Sequence, residues 1–306
     1  KLVNSSGSSP EPGQDSFLSL DFTNYLASTS ADLKVTIKPT VPGLITLTKA
    51  TVNPGRVETG KKFNNKLNPF AFKLSSSITT NTTLTLLITF EDGNYNDYQY
   101  VSFLLNPTYI DVDENEIITT VASNGRLGYE NPNTGTNGVG FNFGENSMLY
   151  EMGIIAGSSV SNLYNNVRAA SGFDQDFTII DKIREVTPGA RSSSETYGSF
   201  KNSGTDAISI SYRSLAWSNV PYDKFVIMEY KVKNISADPI SGFNFTLFGD
   251  WDITTDGQKD IAKWDPETKM GYVYPAPDGP DKSKPSAGIR ILKGIAPIHY
   301  AIDNNQ

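Results

Sequence analysis

At 306 residues the chain is long enough for two domains with separate cores, taking about 100–200 residues per domain. Its formal charge of −7, with 26 Lys and Arg scattered along the sequence, gives no basic face, which argues against a nucleic-acid partner and against an electrostatic hold on anionic lipid. Cysteine is absent, which excludes disulfides, thiolate metal sites and cysteine nucleophiles, and no apolar run approaches the ~18 residues of a membrane helix.

Residues 1–16 carry a Ser/Gly/Pro-rich stretch and read as a flexible linker. No signal peptide is visible and no initiator Met opens the chain, so a processed or excised fragment is expected. Residues 17–107 then alternate apolar and polar positions in short runs. Residues 33–37 and 45–48 alternate cleanly, a Pro/Gly turn follows at Asn53-Pro54-Gly55, and residues 70–74 and 84–90 resume the pattern. Asp92-Gly93 is the strongest local hairpin signal, because this pair tolerates the positive φ angles of a tight turn, and residues 98–103 return as the partner strand. Roughly seven short strands in this stretch predict an immunoglobulin-like β-sandwich, closed at Asn106-Pro107.

From residue 108 to 306 the texture changes to longer strands and more aromatics. Strands are expected over 117–127, 139–143, 148–155, 177–186, 208–212 and 225–232, with a loop at 131–138. Val226, Met228, Tyr230 and Val232 alternate, as do Phe243, Phe245 and Leu247 across a turn at Ala237-Asp238-Pro239, and the two runs are expected to pair antiparallel. A second, larger β-sandwich is the natural reading, so the fold class is all-β throughout. Helix is hinted only at 161–170 and at the turn Asp265-Pro266-Glu267. Residues 289–292 and 298–302 look like strands of a sheet still in progress, which reads as a truncation.

Chemistry has few footholds. The one histidine, His299, lies in a strand-like context with no Ser, Asp or Glu beside it in a recognisable motif, and a structural histidine is expected. No G-x-S-x-G elbow, phosphate loop or H-E-x-x-H is present. A carboxylate pair for glycoside hydrolysis is set by space rather than spacing, and nothing recommends any one pair.

One constellation stands out. Asp250, Asp252, Asp256 and Asp260 fall within eleven residues after a strand, and alternate carboxylates on a curled loop suit a hard cation such as Ca²⁺. The spacing departs from the EF-hand loop, and the competing reading is a solvated hairpin whose Asp side chains cap backbone amides. A second acidic run, residues 111–116, offers a weaker cation site near the domain junction. Trp217, Trp251, Trp264, Tyr272 and Tyr274 are candidates for a glycan platform, weighed against ordinary packing roles.

Residues 18–107, through Asn53-Pro54-Gly55, Asn68-Pro69-Phe70-Ala71-Phe72 and Thr89-Phe90-Glu91-Asp92-Gly93-Asn94-Tyr95, resemble the immunoglobulin-like, adhesion-related domains behind the protease domain of secreted subtilisin-like peptidases of the Bacteroidetes. The remainder is similar to the β-rich region that follows them, through Gly125-Arg126-Leu127-Gly128-Tyr129, Gly138-Val139-Gly140-Phe141, Leu149-Tyr150-Glu151-Met152-Gly153, Phe248-Gly249-Asp250-Trp251-Asp252-Ile253 and Met270-Gly271-Tyr272-Val273-Tyr274. The resemblance implies a secreted or cell-surface protein exported by the type IX route. It also implies an accessory segment whose partner is an upstream catalytic domain of the same polypeptide, with a protein or glycan substrate. The subtilase triad is not in this chain, so no catalytic residue carries over. A surface adhesin or carbohydrate-binding module, or a sandwich-fold glycosidase, are the alternatives.

Overall fold

The computed structural model describes residues 1–7, 9–131, 137–167, 174–186, 189–255, 257–279, 281–294 and 297–302. The chain is all-β: among the described residues the only helical element is a 3-10 turn, Gly257–Lys259. It divides into two compact units, Lys1–Thr108 and Tyr109–Gln306.

The first unit contains β1 (Leu2–Asn4), β2 (Asp15–Leu18), β3 (Asp21–Thr23), β4 (Lys34–Pro39), β5 (Ile45–Lys49), β6 (Thr51–Val52), β7 (Lys62–Asn64), β8 (Phe70–Leu74), β9 (Thr82–Asp92) and β10 (Tyr95–Leu105). Alternation decides which side chains go inside. Val35 and Ile37 of β4, Phe70, Phe72 and Leu74 of β8, and Leu84, Leu86 and Ile88 of β9 form one buried cluster. Two four-stranded sheets, β1-β2-β8-β5 and β10-β9-β4-β6, contribute to it, so the unit is an all-β sandwich. β5 pairs with β8 in one sheet and β6 pairs with β4 in the other, so the chain changes sheet at Ala50, just past a register shift between Leu47 and Lys49. The hairpin signal becomes the β9–β10 turn, where Asp92 pairs with Tyr95 and Gly93 adopts φ 62°.

The expected linker at residues 1–16 is corrected by the structure. Leu2–Asn4 pairs with Asp15–Leu18, which in turn pairs with β8, and Leu2 packs against the core. The composition of the intervening Ser/Gly/Pro turn masked an edge strand and its inner neighbour, whose few apolar residues are fixed by tertiary contacts.

The second unit contains β11 (Tyr109–Val112), β12 (Ile117–Ala122), β13 (Phe141–Phe143), β14 (Asn146–Ser147), β15 (Leu149–Ser159), β16 (Asn162–Asn165), β17 (Thr178–Glu185), β18 (Ser194–Lys201), β19 (Ile208–Ala216), β20 (Ile227–Asn234), β21 (Asn244–Trp251), β22 (Asp260–Asp265), β23 (Met270–Pro275) and β24 (Ala287–Arg290). β11-β12-β13-β14 and β16-β15-β21 are stitched together by single bridges from Leu127 to Val121 and to Met152. The sheet β17-β18-β19-β20 shares its core with them through Val121, Met152, Ile154, Phe200, Ile210 and Tyr212, among others. A third sheet, β22-β23-β24, closes a small cluster of Met148, Ile253 and Ala287.

Three expectations change here. β20 and β21 do not pair with each other: β20 pairs with β19 and β21 with β15. Their apolar rows still point at one core, with the Tyr230 and Phe245 rings 5.4 Å apart. Alternation fixes a strand's face, whereas the sheet it joins is chosen by long-range contacts. The helix hinted at 161–170 is strand over Asn162–Asn165 with turn or bend at residues 161, 166 and 167, and residues 168–170 lie outside the described residues. Residues 298–302 form no strand, although Ala287–Arg290 does. Of the loop expected at 131–138, residues 132–136 lie outside the described residues.

Candidate functional site

The acidic loop begins where β21 ends. Ile253 anchors it by burying in the small third cluster, and the 3-10 turn leads into β22. Asp260 ties the two ends together: its Oδ2 accepts from the Ile253 amide at 2.9 Å and its Oδ1 from the Thr254 hydroxyl at 2.8 Å. Asp281, which the sequence pattern did not single out, does the same for Thr255, accepting from its amide at 3.1 Å and its hydroxyl at 2.7 Å. Those two bonds hold the Asp281 carboxyl below its usual range. Asp252 behaves oppositely. Partial burial and then the negative charges of Asp260 and Asp250 push it up, with Lys284 acting against them.

Asp250, Asp252 and Asp260 therefore stand close enough to repel, while Asp260 spends its oxygens on loop donors. Asp256 lies outside the described residues. Among the described residues no group of three or more His, Asp or Glu side chains gathers into a metal-holding set. In the second acidic run, Asp111 accepts from the Thr120 hydroxyl at 2.5 Å and Glu116 lies 3.6 Å from Lys224.

The aromatic candidates separate into three places. Trp251 packs edge-on against Phe141 at 5.4 Å, at the margin of the core. Trp264 stacks on His299, with centroids 5.4 Å apart and planes at 12°. Gly271 makes that stack possible, because a Cβ there would sit 2.6 Å from His299 Cδ2. Tyr272 and Tyr274 neighbour each other on β23, with the Lys263 ammonium 5.3 Å from the Tyr274 ring. Trp217 instead heads a surface cluster. Its ring lies 6.4 Å from Tyr222 and 5.9 Å from Phe225, and its indole N–H donates to the Arg191 carbonyl at 3.1 Å. Tyr222 and Phe225 remain partly exposed, beside a strongly exposed Val220.

The most unusual chemistry is inside the second unit, and the sequence pattern did not reveal it. Arg126 and Glu151 are both fully buried and form an ion pair at 2.8 Å. The turn that aims Arg126 inward closes with the Ala122 amide donating to the Arg126 carbonyl at 3.0 Å. It needs Gly125, whose φ is 84° and whose Cβ would fall 2.4 Å from the Phe200 ring. The guanidinium also donates to the Asn166 carbonyl, and the Asn166 side chain accepts from the Ile154 amide at 2.7 Å while donating to the Asn124 carbonyl at 2.6 Å. Burial lowers the Arg126 pKa, and the bond to Glu151 opposes that. On β18, Glu195 is buried too. Its carboxylate accepts from the Ser192 amide at 3.1 Å and lies 3.4 Å from Arg213. The available signal was a charge inside each of two otherwise apolar stretches, Gly125-Arg126-Leu127 and Tyr150-Glu151-Met152. Arg126 ties to Glu151 and to the Asn166 backbone, and Glu195 joins the Ser192 amide to Arg213, so these groups act as structural ties.

Neither a protein-family model, nor a curated protein, nor a solved structure matches this chain.

Proposed function

We propose that this chain is the accessory, non-catalytic portion of a secreted or cell-surface serine peptidase, serving as spacer and stabiliser for an upstream catalytic domain of the same polypeptide. The observation that carries the reading is how the second unit uses its ionisable groups. Arg126, Glu151, Glu195 and Asp260 are spent on holding turns and strands. Two β-rich units, each with its own core, suit a spacer. The likeness of its strand-and-turn motifs to the region behind subtilisin-like protease domains supplies the parent. Reading the gene upstream of Lys1 tests it: an Asp, a His in His-Gly and a Ser in Gly-Thr-Ser are expected there. A gene without that triad sinks the proposal.

A second reading, a glycan-binding surface module, draws on the Trp217, Tyr222 and Phe225 cluster, since sugar rings stack on exposed aromatic faces. Binding on a glycan array that Trp217→Ala abolishes would favour this reading over the first.

A further inference from the structure

Three of the four edges of the first unit's two four-stranded sheets are blunted. β1 is three residues long, β6 is two, and β5 carries a register shift and Lys49. β10 is the exception. It spans eleven residues, Tyr95–Leu105, at the edge of its sheet, and its pairing with β9 runs through all of them without a bulge. It contains no Pro, Lys or Arg, and Asp97 is its single charge. Among the described residues its backbone has no partner strand other than β9. Natural sheets disarm such edges with bulges, prolines, lysines or short strands, and β10 has none of these devices. Tyr98 and Tyr100 stand side by side on one face of it, 63% and 62% exposed, with their rings 5.9 Å apart.

We infer that β10 is an interface, and that its occupant is β10 of a second copy of this chain. Strand addition joins two such edges into one continuous eight-stranded sheet. The sequence of the strand is self-complementary in the antiparallel sense. A two-fold axis normal to the sheet through Gln99 sets Tyr98 of each copy opposite Tyr100 of the other, giving two aromatic cross-strand pairs on the same face. The same axis sets Asn96 opposite Ser102 and Asp97 opposite Val101. The lone charge therefore never meets its own copy, and every other pair is neutral. Charge complementarity favours self-pairing over a highly charged peptide, because β10 offers an acidic strand no opposite charge and a basic one only Asp97.

The test is the mass of the full 306-residue chain by light scattering across a dilution series from about 100 µM, a range that brackets a weak interface. A concentration-dependent dimer is expected. Gln99→Lys, which places a positive charge opposite itself on the axis, is expected to raise the dimer Kd at least about tenfold. Tyr98→Lys with Tyr100→Lys is expected to give a monomer. Leu67→Lys, at a fully exposed turn residue remote in sequence from β10, is expected to leave the dimer intact. Far-UV circular dichroism confirms that each variant is folded, and Ser102→Lys replaces any that is not. A wild-type monomer throughout the series, or a dimer indifferent to Gln99→Lys and to the double lysine variant, overturns the inference. A dimer that Leu67→Lys also dissolves is non-specific association, and overturns it as well.

Discussion

The unit Lys1–Thr108 fills its interior with Leu, Ile, Val and Phe, and its buried polar residues, such as Asn65 and Asn106, tie loops to strand ends. Within Tyr109–Gln306 the polar groups enter the core itself: an arginine, two glutamates, several asparagines and the Thr196–Ser214 hydroxyl pair are buried there. The first arrangement is tolerant, because an apolar contact has no direction and a lost methylene costs in proportion to its volume. The second is exacting. A buried ion pair adds little net stability while intact, but becomes strongly destabilising once half of it is removed. The difference lies in whether an interior can be repaired by filling space or only by restoring a partner.

The largest test of that contrast is Arg126→Met, which strands Glu151 in the interior and is expected to cost about 3–5 kcal/mol. Adding Glu151→Leu to it is expected to recover most of the loss, whereas additivity of two destabilising changes would break the comparison. All three tryptophans lie in the second unit, so urea unfolding followed by tryptophan fluorescence reads this unit separately from the first.

A similar loss, about 3–5 kcal/mol, is expected of Phe72→Ala in the first unit, where the ring is fully buried. Here Phe72→Leu is expected to recover much of it by refilling volume, as read by far-UV circular dichroism. A smaller effect, about 1–3 kcal/mol, is expected of Asn65→Ala. Its side chain accepts from the Leu20 amide at 2.7 Å and donates to the Leu18 carbonyl at 3.2 Å, and both backbone groups would lose their partner.

The smallest effect belongs to the acidic loop. Because Asp252 is held above its usual range by burial and by Asp260 and Asp250, its charge opposes folding at neutral pH. The wild type is therefore expected to lose stability as pH rises from the carboxylate's ordinary range through the raised value. Asp252→Asn should abolish that slope and gain a few tenths of a kcal/mol at neutral pH, small because solvent screens the group. Thermal melting with and without millimolar Ca²⁺ sharpens this. A cation held by the loop would raise the wild-type melting temperature and leave Asp252→Asn unmoved.

Much of the fold could be read from the sequence wherever one strand's own side chains decide the outcome. Leu84, Leu86 and Ile88 had to face inward together because successive strand residues point to opposite sides, and Gly93 marked its turn because few other residues take a positive φ. The same local logic put Val226, Met228, Tyr230 and Val232 on one face. It did not reach their partner. β20 and β21 lie in different sheets of one sandwich because the choice is made by β19 and β15, distant in sequence. The acidic loop was visible as a pattern, but Asp260's role as a cap and the entry of Asp281 depend on where Thr254 and Thr255 come to rest.

Sequence by itself determined that the chain is β throughout, which residues alternate inward and that no thiol chemistry is possible. The tertiary structure alone decided the rest. It drew residues 2–4 and 15–18 into the first sandwich, and it set Arg126 against Glu151, 25 positions along the chain. The physical reason is range. A strand's pleat acts over two residues, but the partner of a buried charge is fixed only when the whole core closes and water is no longer there to take its place.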